Sequence, residues 1–183
     1  MAYKNKVLIN PVTKMDIRFL QTASDTGGEL LEMESTFNGK TLEPPPHYHP
    51  FQAEEFKVME GEIHTNINGQ YKVYKKGESI QVPAGTVHSM WNNSDQTAIL
   101  NWKVRPAMNT ENFIETIAGL ARDGKTNDKG RPAILQSALL ISHFDNVFRM
   151  TKPSMTVQKL IFSPLKPIAK LAGYKATYKE YSD

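Results

Sequence analysis

Hydrophobic and polar side chains alternate along most of the first hundred residues. In the segment ELLEMESTF, Leu31, Met33 and Phe37 share one side of an extended chain, and Glu32 and Glu34 take the other. Turn-forming residues recur at short intervals, in the stretches 38–39, 68–69, 83–85 and 92–95. The Asn-Gly pair at 68–69 is a two-residue hairpin signal. Many short strands with regular turns predict an antiparallel sandwich or barrel, so we assign an all-β barrel to residues 1–106.

The hydrophobic period changes after Pro106. Apolar residues then recur at helical spacing, first at positions 113, 114, 117, 120 and 121. Pro132 opens a second helical run, and a third covers about 155–171, where Pro164 and Pro167 are expected to interrupt it. We therefore predict a mostly α-helical C-terminal extension, residues 107–183, which packs on the barrel or on a dimer partner.

Composition is that of an ordinary globular chain. The 183 residues are 39% hydrophobic and 22% charged, enough for one domain with an appendage. No cysteine is present, so disulfides and thiolate metal sites are excluded and any metal must bind nitrogen and oxygen. The net charge of +3 is too small to argue for nucleic acid, and we expect none as a partner. No apolar run has the length of a signal peptide or a membrane span, which leads us to expect a cytoplasmic protein.

The positive charge is concentrated near the C-terminus. Between positions 151 and 183 only Glu180 and Asp183 oppose six lysines, which are Lys152, Lys159, Lys166, Lys170, Lys175 and Lys179. Such a run is typical of a solvated helix face. A membrane-surface helix is the alternative, because apolar residues lie between the lysines. The two prolines argue against one continuous amphipathic helix, so we expect this segment to pack on the barrel.

The stretch PPPHYHPFQAEEF carries the candidate chemistry. Residues two apart in a strand face the same side, so His47 and His49 project together and Tyr48 points away. Glu54 shares its side with Phe56, which would place its carboxylate inside the barrel. A buried carboxylate beside histidines is costly unless a positive charge such as a divalent metal compensates it. Taken alone, the stretch is also compatible with a solvated surface loop.

A second segment, GESIQVPAGTVHSMWN, supports the metal interpretation. The spacing of Gly77, Pro83, Gly85, His88 and Asn92 resembles the second motif of the cupin superfamily. The spacing of His47, His49, Glu54 and Gly61 resembles the first motif, in which only the glycine usually found ahead of the histidines is replaced, here by TLEPPP. The resemblance covers about 46 residues directly.

The cupin resemblance implies an antiparallel double-stranded β-helix, or jelly roll, and a homodimer. It also implies that His47, His49, Glu54 and His88 bind one divalent metal ion. Three imidazoles and one carboxylate suit iron, manganese or nickel, which we favour because an octahedral ion keeps two open positions, and also zinc or cobalt.

The other candidate residues have structural interpretations. By strand parity His64 lies on the outer surface, and His143 is expected to be a packed or capping histidine in a helix. Phe56, Met90 and Trp102 are core candidates that also qualify as lining of a substrate pocket. None of these five side chains is predicted to bind metal.

Three classes of function remain open from the sequence. The first is a mononuclear metal-dependent enzyme of the dioxygenase type acting on a small organic molecule, in which Glu54 is a possible base. The second is a metal-containing protein that binds a small ligand, such as a sugar or sugar acid, without turnover. The third is a non-redox isomerase or lyase that uses the metal as a Lewis acid. No cysteine nucleophile, serine elbow or glycine-rich phosphate loop points to another chemistry.

Overall fold

The computed structural model describes residues 2–182, and the chain folds into two antiparallel sheets followed by helices. The strands are β1 (Val7–Asn10), β2 (Met15–Gln21), β3 (Leu31–Phe37), β4 (His47–Tyr48), β5 (Ala53–Glu60), β6 (Glu62–Ile67), β7 (Gln70–Lys75), β8 (Ser79–Val82), β9 (His88–Trp91), β10 (Ala98–Arg105) and β11 (Arg149–Met150). The helices are α1 (Thr110–Arg122), α2 (Ile134–His143), α3 (Met155–Leu171) and α4 (Lys179–Ser182). The predicted fold class, a β-barrel with a helical C-terminal extension, is confirmed.

Two sheets form the barrel walls. The larger has the strand order β1-β2-β3-β10-β5-β8, and the smaller has the order β11-β4-β9-β6-β7. Alternate residues of each strand point between the sheets, as the burial of β3 shows, where every second residue from Leu31 to Phe37 is buried. Apolar side chains of both sheets, such as Val58 and Ile63, therefore meet in a common core.

Close packing explains why a glycine stands at position 61, the last position of the first motif. Gly61 has a positive φ of 71°, and a Cβ built there would lie 2.5 Å from the Thr97 carbonyl oxygen.

Asn92, the last residue of the second motif, has a structural role as well. Asn92 is fully buried, and its amide donates hydrogen bonds to the carbonyls of Phe37 (3.3 Å) and Gln96 (2.6 Å).

The extension is joined to the barrel at several places. The first helix, α1, packs on β1 and shares a hydrophobic cluster with strand residues such as Phe19 and Val104. The helices also have a small core of their own, which includes Leu120, Leu140 and Phe144. Strand β11, which belongs to the extension, pairs with β4 and so becomes the edge of the smaller sheet.

The expected interruption of the third helix is wrong. Helix α3 runs without a break through Pro164 and Pro167. Each proline removes only one backbone donor, and packing against α2 holds the helix together. No helix within residues 2–182 combines the length and apolar character that a membrane crossing requires.

Candidate metal centre

Short strands from both sheets bring the candidate ligands together. The register of β4 and β9 places His47 directly opposite His88, and His49 follows β4 on the same side. Glu54 lies on β5 in the other sheet, where it is almost fully buried, with 2% of its surface exposed. Three imidazoles on the side of the smaller sheet, two from its strands and His49 just after β4, therefore face one carboxylate of the larger sheet.

The distances between these groups are short. The three histidines each offer a nitrogen, and these nitrogens lie within 4.8 Å of one another. Glu54 Oε2 lies 3.0 Å from His88 Nε2 and 3.3 Å from His49 Nε2. Two ligands bound at right angles with bonds of about 2.1 Å are separated by about 3.0 Å, so these spacings match neighbouring positions around a metal ion.

Backbone carbonyls contact the Nδ1 atom of each histidine and leave Nε2 directed at the centre. Each imidazole directs Nδ1 at a carbonyl oxygen, which can only accept a hydrogen bond, so Nδ1 carries a proton and Nε2 is the nitrogen that faces the centre. These pairs are His47 with Pro45 at 3.1 Å, His88 with Thr86 at 3.0 Å, and His49 with Val147. Such contacts orient the ligands of protein metal sites.

Two buried atoms of the four candidate ligands lack a hydrogen bond of good geometry. They are His49 Nε2 and Glu54 Oε2, which face each other across the centre. An unpartnered carboxylate oxygen beside an unpartnered imidazole nitrogen is costly in a protein interior. A divalent cation between them satisfies both, so the residues present fit a metal ion.

The groups of the centre influence one another's protonation. Burial and the neighbouring His88 and His49 lower the pKa of His47 to about 3. Burial acts to raise the pKa of Glu54, but His49 and His88 outweigh it and the pKa is lowered. Burial likewise acts to lower the pKa of His88, yet the Glu54 carboxylate raises it. The carboxylate is thus held ionised and His47 neutral, the forms that bind metal.

The three residues predicted to line a pocket belong to the barrel interior, and Trp102 contacts Glu54. Trp102 Nε1 donates a hydrogen bond of 3.0 Å to Glu54 Oε1, which leaves Oε2 directed at the histidines. Phe56 is buried and stacks on Trp102 with a ring separation of 5.5 Å. Met90, two residues after His88 on the same face, packs against the barrel core. Trp102 is therefore the residue of the three that touches a candidate ligand directly.

The extension supplies two neighbours of the centre that the sequence did not indicate. Phe148 stacks on the His47 ring at 4.7 Å, and the Val147 carbonyl contacts His49 Nδ1. Phe113 of α1 stacks on Phe148 at 5.0 Å and supports it from behind. Because these residues lie about 100 positions from the histidines, no local pattern could have found them.

The two remaining histidines lie outside the centre. His64 is on the outer face of β6, as its parity predicts, but it is half-buried beside Trp91 and its Nδ1 has no hydrogen-bond partner. His143 is exposed at the end of α2, with its ring edge on Phe144.

A jelly-roll barrel with three histidines and one glutamate converging inside defines a cupin-type protein. The family model described as "Cupin domain" matches residues 33–103, which span both motifs. The chain belongs to the cupin superfamily.

Comparison with known proteins adds named relatives. The "Probable oxidoreductase virH" of Hypocrea virens is 33% identical over 150 residues, covering 75% of this chain and 67% of that protein. An oxidoreductase of Beauveria bassiana is 28% identical over 89 residues, covering 43% of this chain and 29% of that protein. The solved RmlC-like cupin from Shewanella frigidimarina shares the fold, with a TM-score of 0.50, 22% identity and coverage of 61% and 94%. The chain thus spans two thirds of the first relative and under a third of the second.

Proposed function

We propose that this chain is a metal-dependent oxidoreductase of the dioxygenase type that acts on a small organic molecule. The observation that carries the proposal is the set of three histidines whose Nδ1 atoms are all engaged, facing one buried carboxylate. Two relatives named as oxidoreductases support the redox class. The sequence contains no glycine-rich phosphate loop, so a nicotinamide or flavin cofactor is not indicated.

The proposed ligands are His47, His49, Glu54 and His88. When bound there, a divalent iron, manganese or nickel ion would supply open coordination positions at which dioxygen and substrate can meet. Glu54 compensates the positive charge. Its Oε1 is held by Trp102, so Oε2 keeps a fixed direction.

The same carboxylate is the proposed base. Glu54 Oε2 faces the interior, the lowered pKa keeps the carboxylate ionised, and this oxygen would accept a proton when Glu54 leaves the metal. Phe56 and Phe148 place apolar rings beside the centre, where they would limit the access of water to a bound substrate.

The first test is metal content by plasma mass spectrometry after purification without an affinity tag. We expect about one equivalent of iron, manganese or nickel in the natural protein and loss of most of it in His88→Ala. His64→Ala is the matched control and should keep its metal, because His64 lies on the outer face. Equal retention in both variants would contradict the site.

The second test is oxygen uptake by the iron-, manganese- or nickel-loaded protein with a panel of small phenolic, enolic and diketone substrates. Uptake that His88→Ala abolishes supports the dioxygenase class. Two results would contradict the dioxygenase proposal. Full loading with zinc would favour Lewis-acid chemistry, and binding of panel compounds without oxygen consumption would favour a binding role.

A further inference from the structure

A cavity of about 350 Å³ lies in the helical extension, where the ends of α1 and α3 meet the starts of α2 and α4. Its lining residues lie between positions 120 and 178, so it shares none of them with the candidate metal centre. Small-molecule sites in proteins have volumes of about 300–1,000 Å³. We call this feature the extension cavity, and its lining includes Leu120, Lys125, Gln136, Ala172 and Tyr178.

One part of the cavity wall is apolar. Leu120 is fully buried near the end of α1, and Ala133 and Ala172 offer only methyl groups from the neighbouring helix ends. Tyr174 and Tyr178 also line the cavity, and their rings add flat aromatic surface. A wall of this kind can contact the apolar or aromatic body of a small ligand.

Of the described residues that line the cavity, Lys125 alone is charged. Its Nζ donates hydrogen bonds to Asp123 Oδ2 at 3.0 Å and to the Tyr181 hydroxyl at 2.9 Å. The hydrogen bonds with Tyr181 and Asp123 raise the pKa of Lys125, so the amine is a cation at neutral pH. An ammonium group has three N–H donors, so one donor is left for a ligand. Asp123 does not line the cavity, and Arg122 lies 3.8 Å from its other oxygen.

Gln136 supplies a second donor. Its side chain is 1% exposed, its Nε2 donates one hydrogen bond to the Lys175 carbonyl at 2.7 Å, and its Oε1 accepts one from the Tyr178 hydroxyl. The amide nitrogen has two hydrogens, and no acceptor within residues 2–182 takes the second. An unpaired donor on so deeply buried a side chain is costly. An acceptor atom of a ligand in the cavity would satisfy it.

We propose that the extension cavity binds a small organic acid, whose carboxylate accepts hydrogen bonds from Lys125 Nζ and Gln136 Nε2 and whose apolar body lies against Leu120 and the tyrosine rings. Both spare groups are donors and one is a cation, so they favour an anion over a neutral or cationic ligand. A single lysine beside an apolar wall suits a monocarboxylate better than a phosphate group, which has more charge and more oxygens to satisfy. The proposal does not depend on the metal centre.

The test is isothermal titration calorimetry of the full chain with phenylacetate. Phenylethanol has the same aromatic body without the charge, and acetate has the charge without the aromatic body. We expect saturable binding of phenylacetate, and binding of either comparison compound that is weaker by about tenfold or more. Phenylethanol that binds as tightly as phenylacetate would contradict the role of Lys125.

Two variants locate the site. Lys125→Met removes the cation but keeps an unbranched side chain, so it should weaken phenylacetate binding by about tenfold or more and leave phenylethanol binding unchanged. Ala172→Phe fills the cavity and should abolish binding of phenylacetate. Lys129→Met removes an exposed lysine outside the cavity and is the matched control, which should bind as the natural protein does. Thermal unfolding verifies that each variant retains the fold.

Two results overturn the proposal. One is the absence of saturable phenylacetate binding by the natural protein. The other is equal affinity for phenylacetate in the natural protein, Lys125→Met and Ala172→Phe, because the acid would then bind elsewhere, for example at the metal centre.

Discussion

Replacing Trp102 by phenylalanine tests whether the support of Glu54 matters for metal binding. The change removes one donor, Nε1, which lies 3.0 Å from Glu54 Oε1. A phenylalanine keeps an aromatic ring to stack on Phe56. The substitution therefore acts mainly on the hydrogen bond to the carboxylate.

The size of the effect follows from the burial of the carboxylate. Glu54 is 2% exposed, so water does not readily replace the lost donor. A hydrogen bond to a charged group contributes about 1.5–3 kcal/mol, and loss of a group that orients a ligand typically lowers metal affinity by about 10–100-fold. A factor of ten corresponds to about 1.4 kcal/mol, so the two ranges agree. We expect Trp102→Phe to weaken metal binding within that range.

The measurement is a competition titration against a chromophoric chelator. The chain has one other tryptophan, Trp91, on the outer face of the smaller sheet beside His64, and Trp91→Phe is the matched control. We expect the control to retain the affinity of the natural protein. If Trp102→Phe and Trp91→Phe bind the metal equally well, Trp102 has no part in holding Glu54.

Three further substitutions address the extension and the second motif. Phe148→Ala removes the ring stacked on a candidate ligand and should speed release of the metal to a chelator several-fold, whereas Phe51→Ala, an exposed control, should not. In Gly119→Ala the new Cβ would lie 2.3 Å from Cγ of the Tyr181 ring. The clash should cost about 1–3 kcal/mol, against a helix-propensity gain of about 1 kcal/mol, so we expect a lower melting temperature. Stabilisation by this change would mean that α4 does not dock there. Asn92→Ala leaves carbonyls unpaired in a buried loop and should lower the free energy of unfolding by about 1–3 kcal/mol in urea titrations, with an unchanged midpoint contradicting its structural role.

Strand parity and motif spacing predicted much of the barrel and of the candidate centre. Parity alone placed His47 and His49 on one face and Glu54 inside, because the two-residue period of a strand is a local property. Glu54 approaches the histidines only because the two sheets face each other. The cupin resemblance predicted that arrangement, whereas periodicity within single strands could not.

Tertiary contacts account for what the sequence did not predict. The contact between Val147 and His49 joins residues 98 positions apart, so it has no local signature. The continuity of α3 depends on its packing against α2, which outweighs the local preference of two prolines to end a helix. The half-burial of His64 likewise comes from Trp91 on the neighbouring strand, since β6 and β9 are brought together only by the fold.

The pairing of β11 with β4 also has a consequence for biosynthesis. His49 leaves the ribosome 98 residues before Val147, which at about 5–20 residues per second is a delay of about 5–20 s. Once His88 has also been made, the nascent barrel has its three histidines but still lacks the carbonyl and the aromatic ring that contact two of them. We therefore expect stable metal binding to require the finished chain, and a prematurely terminated product to bind metal weakly.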